Sequence, residues 1–169
     1  MTTTNIREAT PEDIPTILHF IKELAEYQNA LDQVEATELS LQETLFTRPF
    51  AKAVIAEFEG KAVGFGLYYY TYSTWTSRPT LFLEDIFVTS ECRGKGVGKH
   101  IFKYMGNLAL RERCARVDWN VLKTNQYVIR TNDCSSIGFY CNYLGARLLD
   151  EWTGCRLEGK EIERLTKLI

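Results

Sequence analysis

The stretch that most constrains this chain runs from Leu81 to Lys99 and reads LFLEDIFVTSECRGKGVGK. Its first eight residues are apolar except for Glu84 and Asp85, which predicts a short buried strand. Three glycines then occupy alternate positions from Gly94 to Gly98. Beyond them, apolar residues recur at helical spacing as far as Arg113. The stretch therefore predicts a strand, a tight glycine-rich turn and a helix in direct succession.

A glycine-rich turn that leads into a helix exposes backbone N–H groups, which are the donors that bind phosphate. The P-loop pattern would need glycine in place of Arg93 and Ser or Thr in place of His100. The dinucleotide-binding fingerprint would need a glycine in place of Lys99. The sequence therefore matches neither of these patterns. It matches Arg-x-x-Gly-x-Gly, from Arg93 to Gly98. A plain strand-to-helix turn without a ligand is the alternative.

The composition argues against several other classes of protein. A net charge of −2 and a pI near 5.8 disfavour a nucleic-acid-binding protein. No apolar run approaches the ~20 residues that cross a membrane, and the N-terminus lacks the apolar run of a signal peptide. Five cysteines without a C-x-x-C pair indicate reduced thiols and a cytoplasmic protein. His19 and His100 are the only histidines and lie far apart in the sequence, so no metal site is expected.

The whole chain, residues 1–169, is predicted to form one α+β domain with a mixed, mostly antiparallel central sheet flanked by helices. Besides the strand at 81–88, strands are predicted at residues 6–8, 51–58, 62–72 and 117–122, with two late strands at 148–149 and 155–157. Besides the helix after Gly98, helices are predicted from Pro11 to Tyr27, from a capping box at Ser40 to Phe46, around 137–144 and at the C-terminus. The strands at 81–88 and 117–122 are predicted to be parallel because a helix lies between them.

Five segments occur in an order that is typical of one family. They are TYSTW (71–75), LEDIFV (83–88), RGKGVG (93–98), VLKTNQ (121–126) and GFYCNYLGA (138–146). Together they resemble the GCN5-related N-acetyltransferases, and within them the spermidine/spermine N1-acetyltransferase branch, nearest to its thialysine-acetylating type. The resemblance covers nearly the whole chain. It implies acetyl-CoA as cosubstrate, a small polyamine or diamine as acetyl acceptor, direct attack of the amine on the thioester, and a homodimer.

The resemblance also implies roles for individual residues. Tyr140 is expected to protonate the departing CoA thiolate, and Glu84 to take the proton of the amine, directly or through water. Tyr27, Trp75, Glu84 and Asp85 are expected to face the amine. The residues expected to bind acetyl-CoA are Ile86, Phe87, Val88, Arg93, Gly94, Lys95, Gly96, Val97, Gly98, Lys99, Asn125 and Ser136.

The chemistry of acetyl transfer needs groups of these kinds. An alkyl amine has a pKa near ~10, and only its free base attacks a thioester, so a base must remove its proton. Neighbouring strand residues face opposite ways, which predicts that only Glu84 of the acidic pair faces the amine while Asp85 supports a loop. Tyr140 and Tyr27 also have a structural alternative as packing residues, and Trp75 as an interface aromatic.

The chain departs from the family pattern in its C-terminal third. The segment from Tyr127 to Cys134 is inserted beside the expected CoA entry. If this insertion displaces Asn125, then Asn132 or Ser136 is expected to take its role in binding the cofactor. Gln28 and Thr153 stand where the branch can carry carboxylates, which weakens the case for a polyamine. The open alternatives are a thialysine-like amino acid or a protein N-terminus or lysine as acceptor, and an acyl-CoA-binding module without catalysis.

Overall fold

The computed structural model describes residues 3–122 and 136–166 of the chain. The chain divides into two compact units, Met1–Asn120 and Val121–Ile169. The expectations for Asn125, for Asn132 and for the inserted segment lie outside the described residues. Within the described ranges, no helix is long and apolar enough to cross a membrane.

The first unit is built on a five-stranded sheet in which the order of the strands follows the chain. Its strands are β1 (Thr4–Glu8), β2 (Lys52–Phe58), β3 (Lys61–Ser73), β4 (Arg78–Val88) and β5 (Val117–Trp119). β1 to β4 pair antiparallel with their neighbours, whereas β5 pairs parallel with β4. This arrangement confirms the predicted mixed, mostly antiparallel sheet, with β5 shorter than expected.

Helices cover both faces of the sheet. On one side, here called the α1 face, α1 (Ile14–Tyr27) and α2 (Glu38–Gln42) pack on a core that includes Phe65 and Phe87. On the other side, the α3 face, α3 (Val97–Arg111) packs on a core that includes Leu83. Successive strand residues alternate between the two cores, as the pleat requires.

A tight turn and a close backbone approach fix the register of the central hairpins. Glu59 and Gly60 join β2 to β3 and have φ values of +52° and +76°, the left-handed pair that a tight hairpin turn requires. In the β3–β4 hairpin, a Cβ atom added to Gly64 would lie 2.4 Å from the carbonyl oxygen of Phe87. Glycine is therefore required at position 64, directly opposite the end of β4.

An ion-pair cluster ties β1 to both β2 and the start of α1. The Arg7 guanidinium donates to the two carboxylate oxygens of Asp13 at 2.6 and 2.8 Å and to Glu57 at 2.7 Å. These hydrogen bonds from Arg7 are the main reason why the pKa values of Asp13 and Glu57 lie below their usual range. Asp13 also accepts from the backbone N–H of Thr10, which completes the predicted helix start.

The predicted N-cap of the second helix is wrong by three residues. The helix begins at Glu38 because the Thr37 hydroxyl accepts the backbone N–H of Ser40 at 3.1 Å, and Ser40 is therefore the third helical residue and not the cap. The helix then continues as a π-helical turn, Glu43–Thr47. Both Thr37 and Ser40 are good caps by residue type, so composition alone does not separate them.

The second unit contains α4 (Ser136–Gly138), which runs on into a π-helical turn (Phe139–Tyr143), and α5 (Lys160–Leu165). The helical segment ends before Gly145, whose φ of +73° confirms its predicted role as a helix terminator. The strands predicted at 148–149 and 155–157 are wrong, since these residues have no strand structure. Two or three apolar residues define a strand only where a partner edge pairs with them.

Candidate active site

The site is organised by the place where β4 leaves β5. The two strands pair only from Leu81–Val117 to Leu83–Trp119, while β4 continues to Val88. On its other edge β4 stays paired with β3, but with a bulge. In the described part of the chain, the edge of residues 84–88 that faces β5 therefore has no strand partner. Apart from the Val88 carbonyl oxygen, which accepts from Arg93, its outward backbone donors and acceptors can bind a ligand that carries amide groups.

The bulge places both carboxylates of the acidic pair on the α1 face. Asp85 pairs across the sheet with Leu67, which packs on the α1-face core. Tyr69 lies on the same face because it follows Leu67 by two residues, and its hydroxyl donates to Glu84 Oε2 at 3.1 Å. The predicted opposite orientation of Glu84 and Asp85 is wrong, since Glu84 is the extra residue of a bulge and alternation fails there.

The two carboxylates differ in their surroundings. Glu84 is exposed, whereas Asp85 is half-buried. Burial, followed by the negative charge of Glu84, raises the pKa of Asp85 to about 6. Burial and the same Glu84 charge also raise the pKa of Tyr69, so its hydroxyl stays protonated and remains a donor. Asp85 can therefore bind and release a proton near neutral pH.

The glycine-rich turn forms an open N-terminus for α3. Gly94 and Gly96 have φ values of +76° and +87°, and Gly96 is the N-cap of α3. A Cβ atom added at Gly94, Gly96 or Gly98 would meet no atom within 4 Å, so the backbone surface here is uncovered. The first N–H groups of a helix lack intrahelical partners, and Lys95 adds positive charge beside them. This arrangement suits a phosphate group.

Arg93, the first residue of the loop, contacts a residue predicted for the other substrate. Its Nε donates to the carbonyl oxygen of Val88 at 3.0 Å. Its guanidinium carbon lies 4.9 Å from the centroid of the Tyr27 ring and 5.7 Å from that of Phe87. The structure thus brings Arg93 and Tyr27 together at the C-terminal end of α1.

Trp75 lies away from the acidic pair, and Ser136 and Tyr140 belong to the second unit. Trp75 is 92% exposed in the turn that joins β3 to β4. That hairpin closes at Ser73–Arg78, which lies about 20 Å along β4 from Glu84, so one chain does not bring Trp75 to the carboxylates. Ser136 is the first residue of α4. Tyr140 lies in the π-helical turn, with its ring edge-on to that of Phe139 at 5.8 Å.

Sequence reasoning missed one residue of this site, Tyr69. Pleating places Tyr68 and Tyr69 on opposite faces, and Tyr68 fills the α3-face core. That alternation was a signal that Tyr69 faces the other way, towards the acidic pair. Within the described ranges, no group of His, Cys, Asp or Glu side chains is arranged to hold a metal ion.

Comparison with known proteins identifies the family. The sequence profile described as "Acetyltransferase (GNAT) family" matches residues 17–132. The chain belongs to the GNAT acetyltransferase family. GNAT membership makes it an acyltransferase, and members of the family use acetyl-CoA as cosubstrate.

Similar proteins support this membership over most of the chain. Thialysine N-epsilon-acetyltransferase of Mus musculus is 35% identical over 182 residues, covering 98% of each chain. Spermidine/spermine N(1)-acetyltransferase-like protein 1 of Homo sapiens is 38% identical over 138 residues, covering 74% of this chain and 20% of that protein. Among solved structures, an integron cassette protein from the mobile metagenome of V. cholerae has a TM-score of 0.74 and 25% identity, and the match covers 97% and 98% of the two chains. The predicted α+β GNAT fold is thereby confirmed.

Proposed function

We propose that this GNAT enzyme transfers the acetyl group of acetyl-CoA to a primary amine of a small polyamine or diamine. The observation that carries the proposal is the acidic pair, Glu84 and Asp85, turned onto one face where β4 leaves β5. Two carboxylates in a partly buried position attract a polycation more strongly than carboxylates in bulk water. The names of the mouse and human relatives support a small cationic amine as acceptor.

In this proposal acetyl-CoA lies along the open edge of β4. The backbone of Ile86, Phe87 and Val88 binds the amide groups of the pantetheine arm, as a strand would. The loop from Arg93 to Lys99 binds the pyrophosphate through its N–H groups, with Lys95 and Lys99 supplying positive charge. Asn125 and Ser136 are further proposed ligands of the cofactor. The fit rests on the exposed backbone of the loop, where three glycines leave room for a phosphate.

The acidic pair receives the proton that acetyl transfer releases. The amine nitrogen attacks the thioester carbonyl carbon, the C–S bond breaks and CoA leaves as a thiolate. Glu84 takes the amine proton, directly or through water, and Asp85 lies on the same face beside it. Tyr69 holds the Glu84 carboxylate in place through its hydrogen bond.

Tyr140 is proposed to protonate the leaving thiolate. A phenol hydroxyl is a proton donor at neutral pH, and a thiolate leaves more readily when it is hydrogen-bonded or protonated. The support for this role is the match of the GFYCNYLGA segment to the family pattern, together with the helical structure that carries Tyr140. Tyr27, which contacts Arg93 at the end of α1, is proposed to face the amine.

A thialysine-like amino acid is the second candidate acceptor, favoured by the name of the mouse relative. Its side-chain ammonium suits the acidic pair equally well. Turnover with spermidine, a short diamine, thialysine and a lysine-containing peptide separates the candidates, and product analysis identifies the acetylated nitrogen. Polyamine or diamine turnover above the other acceptors supports the proposal; preference for thialysine or the peptide contradicts it. Acetyl-CoA binding with no turnover of any amine would identify a binding module.

We also propose that residues 1–169 work as one acetyltransferase domain and that the protein is a cytoplasmic homodimer. The support for a dimer is the exposed apolar surface at the tip of the β3–β4 hairpin. Tyr72 is 64% exposed and Trp75 is 92% exposed, more than separate aromatic side chains in a monomer usually are.

A further inference from the structure

In the pairing of β4 with β3, Glu84 has no opposite residue. Its neighbours on either side, Leu83 and Asp85, pair with two residues that are adjacent in β3. Glu84 is also exposed, and a glutamate side chain has several rotatable bonds whose freedom is lost when it is ordered. Neither the pleat of the sheet nor core packing therefore holds its carboxylate in one position.

Tyr69, in contrast, is held by its own surroundings. It lies opposite Phe82 in the strand pairing, and the two rings stack with their centroids 5.2 Å apart at an angle of 30°. The Tyr69 side chain is half-buried, and burial, followed by the charge of Glu84 and the hydrogen bond to it, raises the pKa of the hydroxyl. The hydroxyl is thus a fixed hydrogen-bond donor at neutral pH.

The hydrogen bond from Tyr69 uses one of the two carboxylate oxygens of Glu84. Tyr69 donates to Oε2 at 3.1 Å, whereas Oε1 accepts no hydrogen bond in the described part of the chain. A hydrogen bond restricts the rotation of the carboxylate, because its strength depends on distance and angle. Since the two oxygens lie on opposite sides of the carboxyl carbon, the bond turns Oε1 away from Tyr69.

We propose that Tyr69 is a positioning residue of the active site, whose hydrogen bond to Oε2 orients Glu84 so that Oε1 accepts the amine proton. This inference rests on the proposed acetyl transfer to an amine. The proton passes from the attacking nitrogen to Oε1, directly or through water, while the C–N bond forms and the C–S bond breaks. A base must lie within hydrogen-bond reach of the proton that it removes, so a carboxylate held in place reacts more often than a freely rotating one.

Removal of the Tyr69 hydroxyl tests this role. Tyr69→Phe keeps the ring and its stacking on Phe82. It should lower kcat/KM for the amine about three- to tenfold and leave KM for acetyl-CoA unchanged. Tyr104→Phe is the matched control, because the Tyr104 hydroxyl donates to Glu8 at 3.3 Å outside the site, and it should behave as the wild type does. A Tyr69→Phe enzyme with the wild-type kcat/KM would overturn the inference.

A double-mutant cycle shows whether Tyr69 acts through Glu84. In Glu84→Ala the Tyr69 hydroxyl has no carboxylate to hold, so the addition of Tyr69→Phe should cause no further loss of kcat/KM. If the two losses multiply instead, Tyr69 acts on another group and the inference is wrong.

The contact can also be measured without turnover. An NMR titration of protein labelled with carbon-13 at the tyrosine Cζ gives the pKa of Tyr69, whose signal is identified by its loss in Tyr69→Phe. Glu84→Ala should lower this pKa, because the charge of Glu84 and the hydrogen bond to it both raise it. Asp85 stays on the same face in both proteins, so the difference reports on Glu84. An unchanged pKa would overturn the inference even in a protein that acetylates no amine, whereas absent turnover with a lowered pKa would refute the proposed function and leave the contact established.

Discussion

The hydroxyl of Tyr69 donates to Glu84 Oε2 at 3.1 Å across a bulge in the β3–β4 pairing. The bulge turns Glu84 towards the same face as Asp85, and the negative charge of Glu84 helps to raise the pKa of Asp85. A regular strand would have separated them. Proton transfer is therefore best examined as a property of the pair.

The pH dependence of kcat/KM should show whether Glu84 and Asp85 accept the amine proton. The base must be deprotonated, so activity should fall as pH drops through about 6, the raised pKa of Asp85. Glu84→Gln removes the neighbouring charge that helps to raise this pKa, and the acidic limb should move to lower pH. The loss of kcat/KM in Glu84→Gln should be largest near neutral pH and shrink towards the amine pKa near ~10.

Asp85→Asn is the companion variant. It should remove the acidic limb of the kcat/KM profile near pH 6, because it removes the group with the raised pKa. The sequence alone predicts a smaller, less pH-dependent effect for Asp85→Asn than for Glu84→Gln. With both carboxylates on one face, we expect the two losses to be comparable. Profiles from about pH 4.5 to 10 in which the acidic limb stays unmoved in both variants would exclude the pair as the proton acceptor.

Replacing a loop glycine should separate cofactor binding from folding. Gly96 is a poor choice, since its φ of +87° makes any side chain strain the backbone. Gly98 lies inside α3, and an added Cβ meets no atom within 4 Å. Gly98→Leu should weaken acetyl-CoA binding by about tenfold or more, while the thermal midpoint stays equal or rises because leucine favours helix.

Gly106→Leu provides the control, since Gly106 also lies in α3 with open space at its Cβ position. It should show the same gain in helix propensity with unchanged binding of acetyl-CoA by calorimetry. Equal affinity in Gly98→Leu and Gly106→Leu would mean that the loop does not bind the pyrophosphate.

Removing the hydroxyl of Tyr140 should slow chemistry without affecting binding. Tyr140→Phe keeps the ring and its packing against Phe139. We expect kcat to fall by about 10²-fold, with acetyl-CoA affinity nearly unchanged, which is the pattern for a positioned acid. Single-turnover measurements show whether chemistry limits the rate; an unaltered chemical step would make Tyr140 a packing residue.

The Arg7 cluster should contribute stability that depends on pH. The pKa of Asp13 lies below its unfolded value, so its contribution is complete above that value and is lost as pH falls through the folded pKa. Asp13→Asn should lower the unfolding free energy at neutral pH by about 1–2 kcal/mol and flatten its decline in acid. Asp118→Asn, which breaks the more exposed Arg116–Asp118 pair, should cost only about 0.5 kcal/mol in denaturant titrations. Equal costs for the two variants would show that the cluster acts as an ordinary surface pair.

The proposed homodimer is testable directly by light scattering. We expect a species of about twice the chain mass of 19.5 kDa at micromolar protein. Trp75→Ser, which removes the most exposed aromatic ring of the hairpin tip, should shift the population towards monomer. A wild-type protein that scatters only as a single chain would refute the dimer.

Local sequence signals predicted most of the frame that positions the site. Glycine in the sequence indicates where the backbone can adopt a positive φ, as it does at Gly60, Gly94 and Gly96. The bulge at Glu84 has no such signal, because no glycine marks it and it arises from pairing with β3. The Arg93–Tyr27 contact likewise depends on how α1 packs on the sheet, which local patterns do not encode. For the same reason, alternation alone gave the wrong faces for Glu84 and Asp85.

The early separation of β4 from β5 has a consequence for solubility. An unpaired strand edge is a template on which the strand of another molecule can add, the first step of aggregation. Charged residues and bulges are the means by which natural sheets prevent such addition. Here both occur together at Glu84, where the unpaired stretch begins. We therefore expect the acidic pair also to oppose the pairing of this edge with a strand of a neighbouring molecule.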